Sequence, residues 1–235
     1  MWYTNINNSA NNGCFSGGED FIMETRAITI TSKQDKELKI KIIPGHFATN
    51  HSHINYYIDM TGIKTKHRQA KAAGQLLAKE YATSTDIDTI VCMDGTEAVA
   101  AYLADSLAES SYGQLNRDKV IRIITPEFNT NGQMLFRDNM QKAIWQQNIL
   151  LLMASVSTGK SIIRSLECIK YYGGKVAGIS ALFSAIPGQY DVPVKALFTP
   201  EDLPDYHTYK YDECPFCRNG QKIDAIVNSF GYSKI

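Results

Sequence analysis

The sequence predicts an α/β fold with a mostly parallel central sheet flanked by helices, a small N-terminal hairpin subdomain and a C-terminal cysteine knuckle. Two observations support this prediction. Short apolar runs alternate with helical segments over most of the chain, which is the pattern of strand–helix–strand units. The composition, 44% hydrophobic and 20% charged over 235 residues, is that of a globular protein and excludes disordered, collagen-like and coiled-coil classes.

The N-terminal part of the chain divides into a tail and a hairpin. Residues 1–22 are rich in Asn, Gly and Ser without periodicity, so we expect a disordered tail and hypothesise that Met23 is the true start. Residues 26–32 and 37–43 alternate between apolar and polar side chains, which predicts the two strands of a hairpin. A further strand is predicted at residues 55–60.

The central part of the chain supplies the parallel sheet. The predicted strands are 89–94, 120–125, 148–153, 175–184 and 194–198, and the predicted helices are 64–81, 97–109 and 162–172. In such sheets ligands bind at the carboxyl ends of the strands, here the loops after Met93, Thr125 and Met153. We expect residues 23–200 to form one domain and residues 201–235 a C-terminal segment.

Charge and cysteine content narrow the functional classes. The 24 basic and 24 acidic residues cancel, which argues against a nucleic-acid partner. The longest strongly apolar run, residues 149–154, is too short to cross a membrane, and the N-terminus lacks the basic and apolar regions of a secretory signal. Five cysteines are an odd number, and only one pair is closely spaced. This predicts a cytoplasmic protein rather than a secreted disulfide framework.

The most informative motif is a strand that runs into Ser-Thr-Gly-Lys-Ser and then into a helix. The first N–H groups of a helix lack partners and carry partial positive charge, so they bind phosphate. A glycine lets the backbone approach the anion, while hydroxyls and one lysine add donors. The predicted phosphate-binding residues are Ser155, Ser157, Thr158, Gly159, Lys160 and Ser161.

Two other interpretations of this junction remain open. It is compatible with an ordinary strand–loop–helix turn capped by Ser and Thr. It also fits the P-loop pattern of a nucleotide-binding protein, except that Ala154 replaces the first glycine and the later strands end without an acidic residue.

The same stretch resembles the phosphoribosyl-pyrophosphate loop of the type I phosphoribosyltransferases, and the chain is most similar to orotate phosphoribosyltransferases within that family. Ser157, Thr158 and Gly159 match the phosphate cradle, whereas Met153 and Ala154 replace two acidic residues that face the ribose hydroxyls in the family. Residues 57–59 match a Tyr-x-Asp segment, and the order of motifs agrees over roughly residues 25–200.

This resemblance implies further roles. The pyrophosphate loop corresponds to Asp94, Gly95, Thr96 and Glu97. Residues 126–139 correspond to a mobile hood, in which Arg137 is the candidate catalytic residue. His53 is a candidate for contact with the base and Tyr57 for stacking on it. Surface or substrate-contact positions are otherwise expected for the three histidines of this region, His46, His51 and His53. The expected cofactor is Mg²⁺ with phosphoribosyl pyrophosphate, and the family implies a homodimer.

The C-terminal segment contains Cys-Pro-x-Cys-x-x-Gly, in which two thiols at Cys214 and Cys217 point at one spot. Such a knuckle supplies half of a Zn²⁺ site, which His207 or a second subunit would complete. A structural knuckle without metal and a redox pair are the alternatives. Some orotate phosphoribosyltransferases end with a similar segment.

Two functions follow from these motifs. One is a phosphoribosyltransferase, orotate-like and acting in pyrimidine nucleotide synthesis, that transfers ribose 5-phosphate from phosphoribosyl pyrophosphate to a base. The other is a non-catalytic regulatory homologue that binds a nucleotide or phosphoribosyl ligand. In both cases the expected partner is a small anion.

Overall fold

The computed structural model describes residues 20–109, 113–186, 190 and 192–235, with side chains described from Met23 onward. Most of the predicted tail, residues 1–19 with Cys14, lies outside this part, while Asp20–Thr25 forms the first helix. Among the described helices, none combines the length and the apolar character needed to cross a bilayer.

The described helices and strands are numbered separately in chain order. The strands are β1 (Ile28–Thr31), β2 (Lys39–Ala48), β3 (His53–Asp59), β4 (Thr89–Cys92), β5 (Arg122–Ile124), β6 (Glu127–Phe128), β7 (Met134–Leu135), β8 (Asn148–Val156), β9 (Lys175–Ser184), β10 (Val194–Phe198), β11 (Thr208–Tyr209), β12 (Ala225–Asn228) and β13 (Gly231–Lys234). The helices are α1 (Asp20–Thr25), α2 (Thr61–Thr65), α3 (His67–Lys79), α4 (Glu97–Ala108), α5 (Asp138–Gln141), α6 (Lys160–Tyr171) and α7 (Pro215–Arg218).

The core of the molecule is a parallel sheet in the order β10-β9-β8-β4-β5. The central strand β8 is buried from Ile149 to Val156 except at the half-buried Ser155, since apolar clusters cover both of its faces. One cluster includes Ala154 and residues of α3 and α4, and the other includes Met153 and residues of α6. The predicted α/β class with a parallel sheet flanked by helices is therefore confirmed.

A second sheet combines the two ends of the chain. The predicted N-terminal hairpin is present, with β1 antiparallel to β2. The sheet continues in the order β11-β3-β2-β12-β13, and β12 runs parallel to β2. The C-terminal segment, expected from the sequence to be an appendage, thus completes the N-terminal sheet.

Several elements differ from their predicted bounds. The predicted helix 64–81 is two helices, α2 and α3, because Lys66 between them has an extended backbone (φ −95°, ψ 115°). The strand predicted at 148–153 continues to Val156, which brings Ser155 into the sheet. The hood region contains the short hairpin β6–β7, with a turn at Gly132 (φ +73°).

Candidate functional site

A cleft of about 210 Å³ lies between the carboxyl ends of the parallel strands and the second sheet. Three segments that are distant in sequence form its walls: β3 and the residues around it, the β8–α6 loop, and the β12–β13 turn. This position is the one that the sequence predicts for a ligand, because the cleft opens at the carboxyl edge of the sheet.

The predicted phosphate loop forms one wall of the cleft. Gly159 adopts a left-handed backbone (φ +75°, ψ −5°) and caps the N-terminus of α6. The lining includes Ser155, Ser157, Thr158, Gly159 and Ser161. Lys160, also predicted to bind phosphate, is exposed and is not among the lining residues, because the first turn of α6 directs it to the surface. The hydroxyls and the helix terminus of this loop therefore face the cleft, and its lysine does not.

Asp94 lies beside the phosphate loop and is the carboxylate that faces the cleft. The Ala154 N–H and the Ser229 side chain lie beside its carboxylate. Burial raises the pKa of the Asp94 carboxyl, and these two polar neighbours only partly oppose this effect. The left-handed backbone of Asp94 (φ +63°) turns the chain sharply between β4 and α4.

The other residues of the predicted pyrophosphate loop support this turn. Gly95 is also left-handed (φ +77°), with open space beside its Cα. Thr96 is buried and donates a hydrogen bond to the Met93 carbonyl oxygen (2.9 Å). Glu97 begins α4 and accepts a hydrogen bond from Thr125 Oγ1 (2.8 Å). The loop therefore presents Asp94 to the cleft while Thr96 and Glu97 fix its base.

Lys64 is a cleft residue that the sequence analysis missed. Its Nζ donates to the backbone oxygens of Ser229 (2.6 Å) and Asp94 (3.2 Å), and burial lowers the pKa of its ammonium. Lys64 belongs to the short helix α2, whereas the sequence pattern placed it at the start of a longer surface helix. No motif marks it, since its role depends on the C-terminal turn lying against α2.

The hood lies over a wider cavity of about 1020 Å³ that adjoins the cleft, between the β6–β7 hairpin and α6. Arg137, the predicted catalytic residue, follows this hairpin and forms a two-pronged ion pair with Glu127, with its Nε 2.6 Å from Glu127 Oε2. It is exposed and lies outside the lining of either cavity. Arg164 on α6 lines the wider cavity instead, although no sequence motif marks it.

The two candidate base-binding residues lie in different places. Tyr57 lines the cleft but packs against Tyr232 (ring centroids 5.3 Å apart), and burial raises the pKa of its phenol. His53 faces away from the cleft towards the cysteine knuckle, while its neighbour His51 lines the cleft.

The knuckle lies against the second sheet, where two histidines meet its thiols. In the described part of the chain, one ligand atom each from His46, His53, Cys214 and Cys217 lies within 4.8 Å of all the others. His207, the ligand expected from the sequence, is not in this group; its ring lies near Tyr209. His46 and His53 are buried, contrary to the surface or substrate-contact role expected for them, and the antiparallel pairing of β2 and β3 brings them together.

Comparisons with known proteins point to one group of enzymes. The sequence matches no protein-family model. It is 30% identical over 79 residues to the orotate phosphoribosyltransferase of Caldicellulosiruptor bescii, which covers 33% of this chain and 40% of that protein. It is 23% identical over 194 residues to the orotate phosphoribosyltransferase of Sulfurimonas denitrificans, which covers 77% of this chain and 90% of that protein.

Among solved structures, the adenine phosphoribosyltransferase of Thermoanaerobacter pseudethanolicus is similar at a TM-score of 0.47 and 14% identity, covering 75% of this chain and 97% of that one. A likeness of this size supports no further conclusion. The match to the Caldicellulosiruptor bescii protein spans less than half of that protein's length. At the level of sequence, the chain is therefore similar to orotate phosphoribosyltransferases, as its phosphate loop and the order of its motifs predict.

Proposed function

We propose that this protein is a phosphoribosyltransferase that binds phosphoribosyl pyrophosphate with Mg²⁺ and transfers its ribose 5-phosphate to a base, orotate by similarity. One observation carries the proposal: the Ser155–Ser161 loop, with left-handed Gly159 at the start of α6, lines a cleft at the carboxyl edge of a parallel sheet. Hydroxyl groups and helix N–H groups there suit a 5-phosphate.

In the proposed reaction the bond between the anomeric carbon and pyrophosphate breaks, and its electron pair leaves on the pyrophosphate oxygen. A nitrogen of the base then forms the new bond to that carbon and releases its proton to water. The protein's contribution is to position both reactants and to stabilise the leaving charge. Mg²⁺ would neutralise pyrophosphate and needs few protein ligands, since it keeps several waters. The loop from Asp94 to Glu97 suits such a hydrated cation, since it carries two carboxylates, of which Asp94 faces the cleft.

Asp94 lies where it can compensate for the two acidic residues that the phosphate loop lacks. Its carboxylate lies beside the N–H of Ala154, one of the two residues that replace those acids. We propose that Asp94 supplies the carboxylate beside the ribose in this chain. Lys64 supports it by holding the Asp94 backbone and the Ser229 backbone together.

A second candidate function rests on the same position. Met153 and Ala154 are only 1% and 0% exposed, so the end of β8 is apolar where the family has two acidic residues. A chain with an intact phosphate cradle and an apolar ribose side would bind a phosphoribosyl or nucleotide ligand without transferring it. This candidate is a regulatory homologue.

Calorimetric titration with phosphoribosyl pyrophosphate and Mg²⁺, followed by an assay of pyrophosphate release with orotate and other bases, tests both candidates. Binding together with base-dependent release supports the transferase. Binding without release from any base supports the regulatory homologue. If the folded protein binds neither phosphoribosyl pyrophosphate nor a nucleotide, both are wrong.

The homodimer and the place in pyrimidine nucleotide synthesis rest on similarity alone. Sedimentation of the full chain tests the homodimer. A monomer at micromolar concentration would contradict it.

A further inference from the structure

We propose that His46, His53, Cys214 and Cys217 form a tetrahedral Zn²⁺ site that fastens the C-terminal segment to the N-terminal sheet. The ligands come from β2, from β3 and from the two ends of the cysteine knuckle around α7. Two residues of the site are therefore separated from the other two by about 160 residues of sequence.

The spacing of the four ligand atoms fits zinc. His46 Nε2 lies 3.5 Å from Cys214 Sγ and 3.6 Å from Cys217 Sγ, and His53 Nδ1 lies 3.2 Å from Cys217 Sγ. Zinc bonds of about 2.0 Å to nitrogen and about 2.3 Å to sulfur, at tetrahedral angles, place nitrogen and sulfur about 3.5 Å apart. The two histidine nitrogens, at 2.9 Å, would separate slightly around the ion.

The surroundings of His46 prepare it to bind a metal. Its Nδ1 lies 3.0 Å from the Gln221 carbonyl oxygen and 3.2 Å from that of Lys222, so Nδ1 carries the proton and donates it. In the neutral imidazole this leaves the opposite nitrogen, Nε2, available to a metal, and Nε2 faces the thiols and His53. Such an outer hydrogen bond is the usual way in which a ligating histidine is oriented.

The burial and charge of the group also suit the ion. His46 and Cys214 are fully buried, His53 is 6% exposed, and Cys217 lies at the surface. Two thiolates balance the charge of Zn²⁺, so the bound site is neutral and compatible with burial. Because protein side chains fill all four positions, the site leaves none for a substrate and has the character of a structural centre.

The position of the site connects it to the cleft. After the knuckle the chain passes through Asp224, which accepts hydrogen bonds from the His46 N–H (2.8 Å) and from Arg26 Nη2 (2.9 Å). It then forms β12 and the turn whose Ser229 contacts Lys64 and Asp94. The zinc would thus hold the segment that closes one wall of the cleft.

Metal analysis of the full chain, purified with zinc under reducing conditions, tests the site. We expect about one Zn²⁺ per chain, as a site with four protein ligands requires. Cys217→Ser and His53→Gln should lose the metal. The controls Cys168→Ser and His207→Gln change the same residue types outside the site and should keep it.

Substitution by Co²⁺ supplies a second measurement that needs no variant. We expect the absorption of a tetrahedral cobalt site with thiolate ligands. Folded wild-type protein that binds neither metal would overturn the proposal, as would equal metal loss in the two control variants. A disulfide between Cys214 and Cys217 that persists under reducing conditions would also overturn it and favour a redox pair.

Discussion

Gly159 has the backbone conformation on which the proposed phosphate loop depends. At φ +75° a side chain is strained, and an added Cβ would also collide with the hydroxyl of Tyr190. We therefore expect Gly159→Val to weaken the binding of phosphoribosyl pyrophosphate at least about tenfold, which corresponds to about 1.4 kcal/mol. Calorimetry with Mg²⁺ measures this change.

The matched control for this substitution is Gly113→Val. Gly113 is also left-handed (φ +87°), but open space surrounds it and it lies outside the residues that line the cleft. The Gly113 variant should lose stability through the same backbone strain, without the collision present at Gly159, and should keep its affinity. Equal affinity of the folded Gly159→Val protein and the wild type would contradict a phosphate site at this loop.

Met153 and Ala154 are neighbours on β8 that face opposite sides of the sheet. Met153 lines the cleft, whereas Ala154 belongs to the apolar cluster under α3 and α4. If the protein is a transferase, Met153→Asp should raise the rate of pyrophosphate release, because it restores a carboxylate on the ribose side. Ala154→Asp should instead lower the free energy of unfolding by several kcal/mol, since it buries an unpaired charge.

Met153→Leu is the control for this pair, because it keeps the apolar character and approximate volume of the side chain. The comparison uses pyrophosphate release for activity and urea unfolding for stability. A rate for Met153→Asp no higher than that of Met153→Leu would mean that the missing acids do not limit turnover.

Sequence motifs predict the position of a single residue well only where the local backbone conformation determines that position. The loop from Ser155 to Gly159 faces the cleft as predicted, because a strand–glycine–helix junction fixes it locally. The exposed positions of Lys160 and Arg137 could not be predicted, because the direction of a long side chain depends on its neighbours in the folded protein. The grouping of His46 and His53 with two cysteines could not be predicted, because it requires the C-terminal knuckle to lie against β2 and β3.

At the scale of elements, Asp88 joins three strands of the parallel sheet at the edge opposite the cleft. Its Oδ1 accepts a hydrogen bond from Lys119 Nζ (2.7 Å), and its Oδ2 accepts one from the Asn148 N–H at the start of β8 (2.9 Å). Its backbone oxygen accepts the N–H of Arg122 at the start of β5 (3.0 Å). Asp88→Asn should lower the free energy of unfolding by about 1 kcal/mol at pH 7.

The cost of Asp88→Asn should depend on pH. Partial burial acts to raise the pKa of Asp88, but the hydrogen bonds from Lys119 and Asn148 outweigh it and lower this pKa below 3.8. A lowered pKa contributes stability above the ordinary carboxyl value, which is lost as pH falls through the folded-state pKa. The difference between wild type and variant should therefore shrink in urea unfolding below about pH 4. The exposed Asp105→Asn is the control, and a difference that is constant with pH would contradict this role.

The strands of the parallel sheet could be predicted because buried strands have apolar sequences. Strands β8, β9 and β10 appear as apolar runs, since a parallel strand covered on both faces has few polar side chains. The short strands β12 and β13 were missed. Strands of four residues carry little signal, and β2, which pairs with β12, lies about 180 residues away in sequence.

At the scale of the whole molecule, the two ends of the chain together form one side of the cleft. Asp224 binds Arg26 and the backbone of His46, and the following turn places Ser229 against Lys64 and Asp94. The N-terminal hairpin and the C-terminal segment therefore depend on each other, although a sequence pattern assigns them to separate units. Loosening the C-terminal segment should disturb both the second sheet and the cleft.

Removal of the proposed zinc should consequently weaken ligand binding as well as stability. With a zinc-selective chelator at constant Mg²⁺, we expect a lower melting temperature and an affinity for phosphoribosyl pyrophosphate reduced about fivefold or more, a typical coupling between two sites. Calorimetry on the full chain, with and without the chelator, measures this loss, and Cys168→Ser treated in the same way should behave as the wild type. If the affinity for phosphoribosyl pyrophosphate is unchanged after verified loss of zinc, the wall of the cleft keeps its structure without the metal. Zinc-loaded protein that binds no phosphoribosyl pyrophosphate would instead refute the proposed function and leave the metal site intact, so the two proposals fail separately.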